Sequence, residues 1–167
     1  MRFKSPFSNT TFDSLKAGDF FFHPLAGGHS PAIKVVRADG EDAVIDLNLE
    51  QQRGEPRLPT LMDADAFEGQ TVIAVETAFI RPKLGVSNLV NGAGGAGSIG
   101  NGALVLTPAG NFLRVKGPRL ATLVFDVDSG KQGTSPDSAK CLWADEWQIV
   151  IEEDDKDLVL FERKLST

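Results

Sequence analysis

Two stretches of this chain, about 80 residues apart, carry the same order of apolar, basic and acidic positions. Ile33, Lys34 and Val35 fall on Leu113, Arg114 and Val115. Ala43, Val44, Ile45, Asp46, Leu47 and Asn48 fall without a gap on Leu123, Val124, Phe125, Asp126, Val127 and Asp128. Successive side chains of an extended strand point to opposite faces, so this matching parity puts Asp46 and Asp126 on the same face of equivalent strands. Phe20, Phe22 and Pro24 fall on Leu104, Leu106 and Pro108 once the loop that follows is allowed to differ in length, Leu25–Ala32 against Ala109–Phe112. The offset also sets Phe67 on Trp147, and with a small slip Ala78–Ile80 resembles Val159–Phe161.

The matching segments read as strands. Asp19–His23, Ala32–Arg37, Ala43–Leu49, Thr71–Phe79, Ala103–Thr107, Phe112–Lys116, Leu120–Asp128, Gln148–Glu152 and Asp157–Glu162 are rich in β-branched and aromatic residues and are separated by Gly, Pro, Asn and Asp. Helix signals are few. Thr60–Phe67 fits a short helix with Thr60 as N-cap and Pro59 before it, and Ser138–Trp147 is a second, weaker candidate. The expected fold is mainly β: two similar small barrel-like or curled-sheet halves in tandem, a pseudo-two-fold repeat, with one or two short helices. The first half spans 1–84, a Gly-rich connection 85–102 and the second half 103–167. Each half is small for independent stability, so the two sharing one core stays open.

Charge and composition narrow the function. Lys and Arg number 17 against 23 Asp and Glu, a formal charge of −6, which repels nucleic acid and anionic lipid. The basic stretches Arg114–Lys116–Arg119 and Arg81–Lys83 are short, so no nucleic-acid partner is expected. Met1–Gly18 has no apolar run of the signal-peptide kind, and no run of about 18 apolar residues occurs, so no membrane partner is expected. With a single cysteine, Cys141, an internal disulfide is excluded and the expected location is cytoplasmic. There are 11 Phe and no Tyr, a usage suited to dry cores and apolar contact surfaces.

Candidate sites each have a plainer explanation. Gly92, Gly94 and Gly97 form G-x-G-x-x-G, but Ser98–Gly102 is no helix start, so a flexible connection explains them better than a nucleotide site. His23 and His29 are the only imidazoles and flank the longer loop; with Asp46 they are the ligand-binding candidates, against an exposed hairpin tip. Asp126 and Asp128, with Gly130 after them, are the metal candidates, against a hairpin turn through Asp128, Ser129 and Gly130. Asp63, Asp65, Glu68 and the run Glu152–Asp155 read as helix-start or turn charges. Trp143 and Trp147 would share one face of a helix, as core anchors or as a subunit contact. Cys141 follows Lys140, whose charge would activate it mildly, against a buried structural thiol.

No nucleophile motif or cofactor fingerprint stands out, so no cofactor is expected. The expected function is a non-catalytic β-rich interaction or assembly subunit with a protein partner or self-association. The alternative is a small-molecule-binding protein or enzyme with a pocket between the halves near the His23 and His29 loop.

Overall fold

The computed structural model describes residues 5–47, 58–83, 89–91, 100–137, 141–153 and 156–163. In chain order the strands are β1 (Phe7–Thr11), β2 (Phe20–Leu25), β3 (Gly28–Val36), β4 (Asp42–Asp46), β5 (Thr60–Asp63), β6 (Thr71–Val75), β7 (Phe79–Pro82) and β8 (Leu89–Asn91). They continue as β9 (Leu104–Thr107), β10 (Gly110–Lys116), β11 (Thr122–Asp126), β12 (Gln132–Gly133), β13 (Leu142–Ala144), β14 (Trp147–Glu153) and β15 (Lys156–Arg163). Short 3-10 turns at Phe12–Ser14, Ala64–Ala66 and Pro118–Leu120 are the only helical elements among the described residues. The molecule is mainly β, as its alternation predicts.

The large sheet runs β1-β6-β2-β3-β4-β5-β10-β9-β13-β8, with β11 on β10 and β12 on β11. A second sheet has the order β15-β14-β7. The β3–β4 hairpin sets Ile33 opposite Ile45 and Val35 opposite Ala43. The β10–β11 hairpin sets Leu113 opposite Phe125 and Val115 opposite Leu123. The early and late strands meet in parallel at single residue pairs, Thr60 with Lys116 and Val36 with Lys131. Neither contact grows into a ladder. The expected barrel-like closure is therefore corrected: the sheets are not closed into a barrel.

Period-two alternation separates the apolar clusters. Phe20, Ile33, Val35, Ile45 and Leu47 pack with Leu104, Leu113, Val115, Phe125, Trp147 and Ile149 in one cluster drawn from early and late strands. The opposite parity of the early strands, Phe21, Ala32 and Val44, packs with Phe12, Leu15, Phe67 and Val72. A smaller cluster on the late strands contains Ala103, Val105 and Cys141, flanked by Phe112 and Trp143. Full burial of each such side chain contributes about 2 kcal/mol of transfer free energy, offset in part by lost conformational entropy.

Local expectations fail where pairing across the sheet overrides propensity. Thr60–Phe67 is not a helix: Thr60 and Leu61 pair with Asp46 and Ile45, leaving one 3-10 turn at Ala64–Ala66. Thr60 donates its hydroxyl to Leu58 O instead of capping a helix. Of Ser138–Trp147, the described part holds no helix: Leu142–Ala144 is strand paired to β9, and Trp147 opens β14. Trp143 and Trp147 thus lie on different strands and in different clusters. Phe67 and Trp147 likewise occupy different clusters, so that correspondence does not hold. Thr71–Phe79 is broken after Val75, where Thr77 takes a positive φ of 64° and the chain turns out of one sheet into the other. The supposed long loop around the histidines is almost all strand, since Pro24 pairs with His29 and Leu25 with Gly28 across a two-residue turn.

Candidate functional site

The most site-like concavity lies beside β7. β6 ends at Val75, and the bend that follows is braced by the Thr77 hydroxyl, which donates to Glu76 O at 2.6 Å. β7 then pairs along one edge with β14, Ile80 opposite Ile149 and Phe79 opposite Val150. Among the described residues no strand pairs with its other edge.

Facing that free edge is the loop before β2. Gly18 N–H donates to Lys34 O at 2.8 Å, and Asp19 accepts from Lys16 N–H at 2.7 Å, so the loop is strapped to the sheet. Between loop and strand lies a cavity of about 150 Å³ walled by Gly18, Phe20, Ile33, Ala78, Ile80 and Ile149. A second cavity of about 150 Å³ shares Gly18, Phe20 and Ala78 with it and is bordered by Asp19 and Glu76. Asp128 borders the first. Phe20, Ile33, Ala78, Ile80 and Ile149 contribute apolar side chains to the walls, the polar surface between them is at least as large, and three acidic residues, Asp19, Glu76 and Asp128, border the space. Such a groove suits a ligand with an apolar body and a cationic end.

The same small sheet exposes three large apolar side chains. Phe79 is 38% exposed, Leu158 43% and Val159 46%. Phe79 and Val159 stand opposite Val150 from either side, on one face of the sheet. Ion pairs from Arg81 to Asp157, and from Lys83 to Glu162 at 2.7 Å, tie β7 to β15 across β14. The hydrogen bond from Lys83 to Glu162 raises the lysine's pKa.

The histidines and Asp46 lie elsewhere. None of the three lines the cavity beside β7. His23 is buried, its ring edge-on to Phe67 with centroids 5.0 Å apart, and its Nε2 has no partner among the described residues. His23 pairs across β2–β3 with Ser30, a fully buried residue whose hydroxyl donates to Asp46 at 2.9 Å. His23, Ser30 and Asp46 therefore share one face of three adjacent strands. His29 has the other parity and is exposed beside Pro24. The structure brings His23 and Asp46 together through Ser30 and leaves His29 apart.

Asp126 braces a turn. Its Oδ1 accepts from the Ser129 N–H and hydroxyl, both at 2.7 Å. Asp128 is exposed. Among the described residues no three His, Cys, Asp or Glu side chains are placed to share a metal ion. Gly92, Gly94 and Gly97 lie outside the described residues.

Cys141 is buried, and burial, aided by the Asp137 charge, pushes its thiol pKa up; the nearby Arg114 only opposes this. The burial agrees with the structural-thiol reading of the sequence rather than with mild activation: the site favours the neutral thiol. Arg163 is buried at the end of β15, donating to Asp145 O and, at 3.4 Å, to Asn101 O. Burial lowers the Arg163 pKa and raises that of Asp145, while their mutual attraction works against both shifts.

Sequence reasoning missed Gly18, Ala78 and Ser30. Ala78 was legible only as an alanine in a strand-like run, because its importance lies in what stands beside it. Among the described residues no helix is long and apolar enough to cross a membrane. No protein-family model, curated protein or solved structure matches this chain.

Proposed function

We propose that the chain is a non-catalytic interaction subunit, built by duplication of one β unit, that binds other polypeptides along the free edge of β7. The observation carrying this reading is the β7 edge that no strand of the described residues pairs, beside a groove with apolar side chains and acidic residues in its walls, next to exposed Phe79 and Val159. An open strand edge offers main-chain donors and acceptors, and an adjoining apolar pocket supplies selectivity.

Register supports the duplication. The Ile33–Ile45 and Ala32–Asp46 pairs correspond to Leu113–Phe125 and Phe112–Asp126. Phe20 opposite Ile33 corresponds to Leu104 opposite Leu113. On the outer edge of β2 lies β6 and beyond it β1; on the outer edge of β9 lies β13 and beyond it β8. The lone parallel contacts correspond too, Thr60–Lys116 with Lys131–Val36. So do loop hydrogen bonds: Gly18 N–H to Lys34 O with Gly102 N–H to Arg114 O, and Leu47 N–H to Pro31 O with Val127 N–H to Asn111 O. A pseudo-two-fold axis then passes through the Ile80–Ile149 pair, exchanging β7 and β14, so that Ala78–Ile80 corresponds to Trp147–Ile149 and not, as the sequence suggests, to Val159–Phe161.

The alternative, a small ligand held between the halves by His23, His29 and Asp46, has less behind it, because the cavity with residues from early and late strands has none of the three in its lining. The single buried thiol suits a reducing, cytoplasmic setting.

Selection of displayed random decapeptides on the immobilised protein tests the reading. Enriched peptides should protect the amide of Ile80 from hydrogen exchange, because the N–H groups of β7 alternate and the Lys83 N–H bond to Glu146 O leaves that of Ile80 pointing away from β14. Failure to enrich any peptide, or protection confined to other strands, would sink it.

A further inference from the structure

β14 and β7 differ in one respect. The edge of β14 facing away from β7 carries β15, whereas the corresponding edge of β7 carries no strand among the described residues. Phe161 of β15 stands opposite Ile149, and Arg163 opposite Trp147. The Phe161 ring packs on Trp147 with centroids 5.5 Å apart. The Arg163 guanidinium lies over Gly102, where an added Cβ would come within 2.8 Å of its Nε. Arg163 also reaches the Asp145 carboxylate, at 3.9 Å, and the carbonyl of Asn101.

Carrying this arrangement across the Ile80–Ile149 axis gives the empty side its chemistry. Trp147 corresponds to Ala78, Gly102 to Gly18 and Asp145 to Glu76. The indole of Trp147 is fully buried and donates to Gly102 O at 2.7 Å. Beside Gly18 the methyl group of Ala78 stands in its place, and the groove of two cavities of about 150 Å³ lies there. The groove is thus the counterpart of a slot that β15 fills, enlarged by the loss of an indole.

We infer that this groove accepts an extended segment of a partner polypeptide, antiparallel to β7, with an apolar residue opposite Ile80 and, two positions further on, an arginine opposite Ala78. This rests on the interaction-subunit reading and on the duplication. The aliphatic stem of arginine covers the apolar side chains of Phe20, Ile33 and Ile149, and its guanidinium meets Glu76 and Asp19 at the rim. Main-chain bonds to the β7 edge supply affinity without regard to sequence, and the apolar-x-Arg pair sets register.

A synthetic, end-blocked peptide with the sequence of Lys156–Arg163 is the probe, titrated by calorimetry into the full-length protein. Saturable binding with protection of the Ile80 amide from hydrogen exchange is expected. Glu76→Lys in the protein should weaken binding at least tenfold, and the Arg163→Glu peptide should recover it on that variant. Ala78→Trp, which fills the groove from within, should abolish binding and leave the folded spectrum and Tm intact or improved. Absence of saturable binding, or binding untouched by both protein variants, overturns the inference. If random peptides bind β7 but show no apolar-x-Arg preference, the interaction reading stands and this inference falls. Protection of the Ile80 amide that grows with protein concentration alone would make a second copy the occupant and overturn it as well.

Discussion

Gly130 sits so close to Gly18 that a Cβ on residue 130 would lie 2.1 Å from the Gly18 backbone nitrogen. Both glycines have positive φ, 66° and 92°. The contact joins a turn of the late strands to a loop of the early ones, and both are tied to β3, through Lys34 O and Val36 N–H. No side chain fits between them.

Gly130→Ala therefore meets two penalties, a left-handed backbone and a backbone clash. Gly27→Ala isolates the first, because residue 27 has φ of 93° and nothing within 4 Å of where its methyl group would sit. Gly27→Ala should cost about 1 kcal/mol. Gly130→Ala should cost about 3 kcal/mol or more, because two main chains must separate. Urea unfolding of both variants measures the difference. Equal losses would mean that the close approach carries no energy.

How much of this was legible in the sequence follows from what each feature depends on. The alternation in Ala43–Leu49 and Phe112–Lys116 reports which side chains face a core; β10 contains all of the second run, and β4 covers the first only as far as Asp46, with Asn48 and Leu49 outside the described residues. Thr60–Phe67 misled because its helix signals are local, whereas its partners on β4 are distant in sequence. The shared parity of Asp46 and Asp126 was visible, but not that one accepts from Ser30 across strands and the other from Ser129 within a turn. The groove was illegible, since an empty space beside Ala78 leaves no mark in the residues that bound it.

Trp147 offers a test of how the shared core is held. Its side chain is fully buried and its N–H reaches Gly102 O at 2.7 Å. Trp147→Phe removes the donor and part of the volume and should cost about 2 kcal/mol; Trp147→Ala should cost about 4 kcal/mol. Chemical denaturation should show both losses with an unchanged dependence on denaturant. A loss of under about 0.5 kcal/mol, the size of a surface substitution's effect, would show that the indole is not an anchor.

Cys141 should be a poor nucleophile that makes folding sensitive to alkali. Burial, with the Asp137 charge, holds its thiol pKa above the ordinary value, so the folded chain keeps this proton to higher pH than the unfolded chain does. The stabilisation is complete below the ordinary thiol pKa and disappears as pH rises through the raised one. Over that alkaline window the wild type should lose more stability than Cys141→Ala, which has no thiol to ionise. Iodoacetamide at pH 8 should modify Cys141 only after unfolding. Rapid labelling of the folded protein would contradict both statements.

The polar trio on β2, β3 and β4, with His23 and Ser30 buried and Asp46 half-buried, separates a group that stabilises from one that does not. The Ser30 hydroxyl is fully buried and donates to Asp46 at 2.9 Å, so Ser30→Ala removes a donor from a carboxylate and should cost about 1 kcal/mol. His23 contributes a ring packed edge-on against Phe67, yet its Nε2 has no partner among the described residues. His23→Phe keeps an aromatic ring against Phe67 and removes a buried atom with nothing to bond. Stability should be unchanged or higher by about 1 kcal/mol. Thermal and urea unfolding of the two single variants and the double variant would check this, and because His23 stands directly opposite Ser30, any departure from additivity measures their coupling. A His23→Phe loss of about 2 kcal/mol or more would reveal a hydrogen bond to Nε2 and would make the imidazole a working part of the site.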